Sequence, residues 1–479
     1  MTNNNERYQY KDYKNLEKIF ESLDAEKELA YFIFNYIFTI LGIPVKDRTY
    51  LRRSYTVVDK NINFAQIDTD LIFSEGKNEF FRFTCRRQLD SDEIALVRMI
   101  IDEFYKTSEY KFRKKVKQNN YTSSISLEAN YKLAVQQGIC NWIVGDRENR
   151  IHALMQSLEE WSVKTYEGRK VTFGFIVEKD ETNGEGDLSC DVIEFLKYDY
   201  SATFTDCIDT VMEIDKKAHL IAFRSIMDKN KISEVELHSN VPYRFSHILE
   251  KYSNPHRTGI FLLNNGDIVL SRNKSLQLVK RNLRWLNISF TGFKAAYEAS
   301  NKSLFVINED LLPEVFASIL DVSFSHTGGI IAIMADPDYL NNMNQPEKTL
   351  SDVDYLLYDD NDRDDFKKIT DELKGEPTSE KDKRLIKRKF IKKLINGKKF
   401  SEIDRKLRTE LISMDGACII DSNGNICAVG AIIKNKSGSS EGGRGAACKK
   451  LSEYGLAVKI STDGYIEMFV KGNLVLSIK

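Results

Sequence analysis

Apolar positions in the first hundred residues follow two periods. From Leu16 to Leu41 and from Ser91 to Tyr105 they recur at helical spacing, and Tyr31–Pro44 (YFIFNYIFTILGIP) predicts a buried helix. Between these stretches, NFAQIDTDLIF (63–73) and NEFFRFTCRRQ (78–88) alternate apolar with polar residues, as half-buried strands do. An α+β module over residues 1–115 accounts for this pattern. The polar stretch from Lys106 to Asn130 lacks a strong apolar period and is expected to hold a boundary.

Beyond it, IHALMQSLEEW (151–161) has helix spacing and KVTFGFIVE (170–178) reads as a buried strand, so an α/β layer is expected within 131–300. Gly168 in TYEGRK serves as a turn former, and DETNGEGD (180–187) has the composition of a mobile loop. TGIFLLNNGDIVLS predicts a hairpin centred on Asn265 and Gly266, bridging toward the last domain.

From Leu311 helices alternate with strands that are apolar throughout. The order is helix (311–326), strand (328–335), a polar interruption, helix (400–414), strand (416–421), turn (422–425) and strand (426–433). A Gly/Ser loop, a helix (446–455), a strand (456–461) and a closing hairpin (463–479) follow. This predicts a mixed sheet covered on both faces by helices. The whole chain is thus expected to be a multidomain α/β protein, with α+β modules before a C-terminal domain at 304–479. The interruption, 341–399, has an acidic half (SDVDYLLYDDNDRDD) and a basic half (KDKRLIKRKFIKKLINGKK). The acidic half lacks the glycine and glutamate spacing of an EF-hand and reads as a solvated loop. In the basic half Leu385, Phe390, Ile391 and Leu394 approach helix spacing; a solvated amphipathic helix is favoured there over a nucleic-acid contact through 381–399.

With 479 residues the chain exceeds one hydrophobic core. Its 70 Lys and Arg nearly cancel 71 Asp and Glu, so any polyanion site must be local. The longest apolar run falls short of the roughly 20 residues that span a bilayer, and no basic segment precedes an early apolar run. A cytoplasmic protein without a membrane span is expected. The seven cysteines are scattered without a CxxC, which argues against a disulfide framework or zinc site; Cys418 and Cys427 are expected as a reduced packed pair across neighbouring strands.

Two segments carry candidate chemistry. In MDGACIID (414–421) a carboxylate, Asp415, stands before a buried strand, where it can hold a divalent cation or take a proton from a sugar hydroxyl. In SGSSEGGRGAACKKLS (437–452) a glycine-rich loop opens a helix, offering backbone amides and Arg444 to a phosphate. Either motif alone is common. Of the remaining candidates, His326 is expected to serve a helix C-terminus rather than a ligand. Trp142, Trp161 and Trp285 are expected as core anchors rather than base-stacking platforms. Arg281 and Arg284 are read either as a solvated helix face or as part of an interdomain seam.

In order and spacing, SHTGGIIAIM (325–334), DGACII (415–420), GGRGAACKKLSEYG (442–455) and VKISTDG (458–464) resemble the diadenylate cyclase domain of the DNA-integrity scanning and membrane-associated cyclic di-AMP synthases. WSVKTYEGRKVTFGF (161–175) and GDIVLSRNKSLQLVKRNLRW (266–285) further resemble the sensor region, of the type called DACNV, that precedes such domains. The resemblance implies condensation of two ATP into cyclic di-AMP with release of pyrophosphate, Mg²⁺ or Mn²⁺ as cofactor, and a face-to-face homo-oligomer in which each copy holds one ATP. It implies Asp415 as metal ligand or base, Arg444 as the catalytic phosphate contact, and Gly328, Gly329, Gly416, Ala417, Gly442, Gly443 and Ser461 around the nucleotide. Where the family has Gly-Thr-Arg-His-Arg this chain has Gly-Gly-Arg-Gly, and the family's Ser-Glu becomes Ser461-Thr462-Asp463. Backbone amides of the glycines, or Lys449 or Lys450 reaching in from the helix, are the expected compensation. The alternatives are therefore an impaired nucleotide-binding sensor module or a cyclase making a different dinucleotide.

Overall fold

The structure, a computed structural model, describes residues 6–9, 25–44, 49–52, 62–67, 70–75, 78–85, 87–107, 124–144, 149–166, 169–170, 173–178, 192–195, 211–214, 220–223, 257–263, 265–300, 307–335, 380–433 and 442–479. The acidic half of the interruption, the loop at 180–187, Gly168 and the segment 16–24 lie outside them. The chain divides into two compact units, one built mainly from 1–238 and 244–296, the other mainly from 297–477. Among the described residues no helix is long and apolar enough to cross a membrane.

In the first unit, β1 (Glu6–Gln9), β2 (Thr49–Arg52), β3 (Ile62–Ile67), β4 (Asp70–Glu75) and β5 (Asn78–Thr84) form an antiparallel sheet in the order β1-β2-β5-β4-β3. The apolar run Tyr31–Pro44 is helical as far as Ile40 and ends in a turn at Leu41 and Gly42: α1 (Ala25–Phe32) passes through a π turn at Ile33–Ile37 into Phe38–Ile40. Its aromatic residues enter one core, where Phe32 stacks on Phe104 at 4.3 Å and Phe34 meets Phe83 edge-on. Helix α2 (Ser91–Thr107) packs against α3 (Ser124–Val144), so the seven residues before Tyr131, expected in a linker, are helical. Gly138 makes the close approach of α3 possible, because a Cβ there would stand 2.8 Å from Ile100 Cγ1. After α4 (Asn149–Trp161) come β6 (Thr165–Tyr166), β7 (Arg169–Lys170), β8 (Phe173–Glu178), β9 (Val192–Phe195), β10 (Val211–Ile214), β11 (Leu220–Phe223), β12 (Arg257–Leu262), β13 (Ile268–Arg272), β14 (Ser275–Arg281) and β15 (Arg284–Asn287). Eight of them form a sheet ordered β15-β14-β13-β12-β8-β10-β11-β9, with β8 and β10 parallel. The expected hairpin at Asn265 and Gly266 joins β12 to β13, with Gly266 at φ +89.

Buried charge in this unit is paired. Arg87 bonds the Glu93 carboxylate at 2.7 Å and the Leu41 carbonyl at 3.1 Å, while Asn287 donates to Glu93 at 2.6 Å. Arg272 lies over the Trp142 ring and donates to the carbonyls of Trp142 and Ile143, satisfying groups that the end of α3 leaves open. Arg281 and Arg284 sit on strands, which corrects the helix-face alternative. Arg281 pairs with buried Asp267 at 2.6 Å, because the short loop after β12 turns that carboxylate onto β14. All three tryptophans are buried, and Trp285 Nε1 donates to Gln136.

The second unit follows α5 (Phe290–Ser300), which straddles the division. It holds α6 (Leu311–Ser325), β16 (Gly329–Met334), α7 (Glu380–Ile395), a 3₁₀ turn at Phe400–Glu402, α8 (Arg405–Ser413), β17 (Ala417–Asp421), β18 (Ile426–Ala431), α9 (Gly442–Leu451), β19 (Gly455–Ile460), β20 (Ile466–Val470) and β21 (Asn473–Ile478). The predicted helix over 400–414 is interrupted: Asp404 accepts from the amides of Lys406 and Leu407 and starts α8 afresh. The sheet order is β18-β17-β16-β19-β20-β21, with β16 and β17 parallel and the other registered pairs antiparallel. Every residue of β16, β17 and β18 is buried, which is why these strands read as unbroken apolar runs. Ile330, Ala332 and Met334 share a cluster with Cys448 and Leu451 of α9. Gly329, of the opposite pleat, abuts Ile412 of α8, so helices cover both faces. Buried Arg405 and Arg408 of α8 pair with Asp321 and Glu314 of α6. On α7, Ile391 and Ile395 are buried while Phe390 is 65% exposed, so the basic helix is amphipathic with part of its apolar surface outward.

Candidate functional site

Strand register decides which residues meet. Ile331 of β16 lies opposite Cys418 of β17, Gly329 opposite Ile460 of β19, and Ala417 opposite Ala431 of β18. The amino ends of β16 and β17 and the carboxyl ends of β18 and β19 therefore share one sheet edge. Gly328, Gly329, Asp415, Gly416, Ala417 and Ser461 all arrive there, although they come from three strands distant in sequence.

Arg444 reaches the same edge. A Cβ on Gly328 would stand 2.6 Å from Arg444 Nη1, 3.1 Å from the Thr462 amide nitrogen and 3.3 Å from the Ile460 carbonyl oxygen. The guanidinium thus lies against the glycine, whose φ of +71 also disfavours a side chain. Gly442, Gly443 and Arg444 form the first turn of α9 rather than a loop ahead of it, which corrects the predicted helix start at 446. An arginine in the first turn of a helix stands at the positive end of its dipole, so the charge there favours an anion. Around Gly442 and Gly443 a Cβ would meet nothing within 4 Å.

Gly416 is needed for packing. At φ +103, a Cβ there would stand 2.6 Å from the Gly430 carbonyl oxygen. Ala417 is fully buried at the start of β17, whereas the Asp415 side chain is exposed. Among the described residues neither Asp415 nor Arg444 has a hydrogen bond or ion pair within the protein. Ser461 closes the β19–β20 turn: its hydroxyl accepts from the Tyr465 amide at 3.0 Å, which holds it in place while its O–H and a second lone pair can still meet a ligand. His326 ends α6 in the left-handed conformation, and its Nδ1 lies 3.1 Å from the Thr462 carbonyl oxygen, so it serves this edge as a structural tie.

Three features of the edge were not singled out by sequence. The Thr327 and Ser413 hydroxyls, 2.7 Å apart, join the approach to β16 with the end of α8. Gly430, at φ +64, lies beside Gly416 and the Asp415 carbonyl; a glycine inside an apolar strand is the usual sign of close backbone approach and was available as a signal. The third is Lys387 of α7, whose Nζ would stand 2.6 Å from a Cβ on Gly430. Nothing in a run so rich in lysine marks that position.

The cysteines stand behind the edge. Cys418, Cys427 and Cys448 are buried and free, and burial pushes the Cys418 thiol up to about 12 and the other two further. Asp421 lies at the opposite end of β17, accepting from the amides of Asn423 and Asn425. Among the described residues no group of three or more His, Cys, Asp or Glu side chains gathers to hold a metal. Asp415 offers one exposed carboxylate, and ions such as Mg²⁺ or Mn²⁺ often take only one or two protein carboxylates, the rest of their shell being phosphate and water oxygens. No known protein-family model matches the chain, and no curated protein matches it either.

Proposed function

We propose that the second unit is a nucleotidyltransferase that condenses two ATP into cyclic di-AMP, with the first unit as its regulatory region. One observation carries the reading: an exposed carboxylate, a guanidinium and the positive end of a helix meet at a glycine-lined sheet edge. A 3′-hydroxyl of one ATP attacks the α-phosphorus of the other; the new ester bond forms as the bond to the β-phosphate oxygen breaks and pyrophosphate leaves. The reciprocal attack closes the ring, so two copies must face each other, each holding one ATP. Arg444 and the α9 amides hold phosphate oxygens, and Asp415 binds the divalent cation or takes the hydroxyl proton. A bound Mg²⁺ or Mn²⁺ supplies neutralisation of charge on the leaving pyrophosphate. Catalysis then rests mainly on positioning and electrostatics. A reaction fed by ATP suits the cytoplasm.

A second reading, a nucleotide-binding module without turnover, is favoured by one feature. The first turn of α9 presents a single arginine, and the Ser461 hydroxyl is engaged in its own turn. Mass spectrometry of nucleotides formed from ATP with Mn²⁺ separates the two. Cyclic di-AMP from the wild type, absent for a folded Asp415→Asn variant, supports synthesis. ATP binding without pyrophosphate release selects the binding module, and no interaction with any nucleotide defeats both.

A further inference from the structure

The geometry points to Lys387, on the helix of the charged insertion, as a second phosphate-binding residue of this edge, making good the cations that the first turn of α9 lacks. The inference deepens the nucleotide reading and rests on it.

Gly430 lies at the carboxyl end of β18, beside Gly416. A Cβ on it would stand 2.6 Å from Lys387 Nζ, 3.3 Å from Lys387 Cε and 3.1 Å from the Asp415 carbonyl oxygen. The space a side chain would fill at position 430 is therefore where the ammonium group rests. Lys387 is exposed, and among the described residues no carboxylate or hydrogen-bond acceptor engages it.

The helix that carries it is anchored. Ile391 and Ile395, one and two turns further along α7, are buried, so the backbone at 387 is held over the sheet rather than free to drift. Gly430 on β18 and Gly328 before β16 are separated by two strand spacings, roughly 10 Å. Lys387 beside Gly430 and Arg444 beside Gly328 are thus both cations of the sheet end at which Asp415 leads into β17. Two cations and a carboxylate at one sheet end suit a polyphosphate carrying a divalent cation, with the ammonium and guanidinium on phosphate oxygens and the carboxylate on the metal.

Calorimetric titration of the full chain with Mg²⁺-ATP, and separately with inorganic tripolyphosphate, tests this. Lys387→Ala is expected to weaken both ligands about tenfold or more, as loss of a charged hydrogen bond does. Lys387→Arg should keep most of the affinity. Lys393→Ala, which removes another exposed lysine of the same helix, should change it by less than about twofold, with all variants melting like the wild type. Equal binding by the wild type and Lys387→Ala would overturn the role of Lys387 while leaving the nucleotide reading intact. Equal weakening by the two alanine variants would also overturn it, since that marks a general charge effect. A wild type that binds neither ligand would remove both proposals.

Discussion

Gly416 and Gly442 share a backbone conformation that side chains avoid, at φ +103 and +74, yet their surroundings differ. An alanine at 442 meets nothing within 4 Å, so its cost is the conformational strain alone, about 1–2 kcal/mol. An alanine at 416 bears that strain and also places its methyl 2.6 Å from the Gly430 carbonyl oxygen and 2.7 Å from the Ala431 amide nitrogen. Both are backbone atoms of the paired strand and cannot rotate away, so an overpacking cost of about 1–3 kcal/mol is added. For a unit of this size about 1 kcal/mol lowers Tm by roughly 2–4 °C. Gly416→Ala should therefore lower the melting of the second unit by about 4–20 °C and Gly442→Ala by about 2–8 °C, with the shift for Gly416→Ala the larger. The assay is scanning calorimetry of the full chain, because all three tryptophans (142, 161 and 285) lie in the first unit and their fluorescence would miss the event. Equal shifts, or a larger shift for Gly442→Ala, would refute the close packing of β17 on β18 at this edge.

Arg405→Ala should destabilise the second unit by about 1.5–3 kcal/mol in calorimetry, because it removes the charge-assisted bonds of buried Arg405 to the half-buried Asp321 carboxylate of α6. Burial pushes the Glu467 carboxyl up, but hydrogen bonds from Lys459 and Lys479 outweigh it and hold the group below the ordinary 4.5. Its contribution to stability is then present above that value and is lost as pH falls through the lowered one, so Glu467→Gln should flatten the acid limb of the melting curve. Cys418 and Cys448, with thiols raised by burial, should resist alkylation at pH 8 in the folded protein and react on unfolding, as peptide mapping would show.

What was legible in the sequence follows from burial. Strands β16, β17 and β18 are covered on both faces, and their unbroken apolar runs announced them. The Asn265–Gly266 turn needs a residue that accepts positive φ, and the sequence placed a glycine there. The start of α9 was hidden because glycine lacks helix propensity, while the fold nonetheless draws Gly442–Gly445 into the first turn. The break between 402 and 405 carried a signal in Asp404, a good N-cap, but the apolar period runs across it. At the candidate site, the gathering of Asp415, Gly328 and Arg444 depends on strand register and crossover, which no local pattern encodes. Lys387 depends further on how α7 lies over β18, and its ten-residue neighbourhood offers half a dozen equivalent cations.

A crystal structure of the full chain with a non-hydrolysable ATP analogue and Mn²⁺ tests the central claim most directly. The expected result is a triphosphate at the edge shared by β16, β17 and β19, in contact with Arg444, with the anomalous signal of manganese beside the Asp415 carboxylate. A nucleotide bound elsewhere, or an edge left empty at saturating analogue, would contradict it.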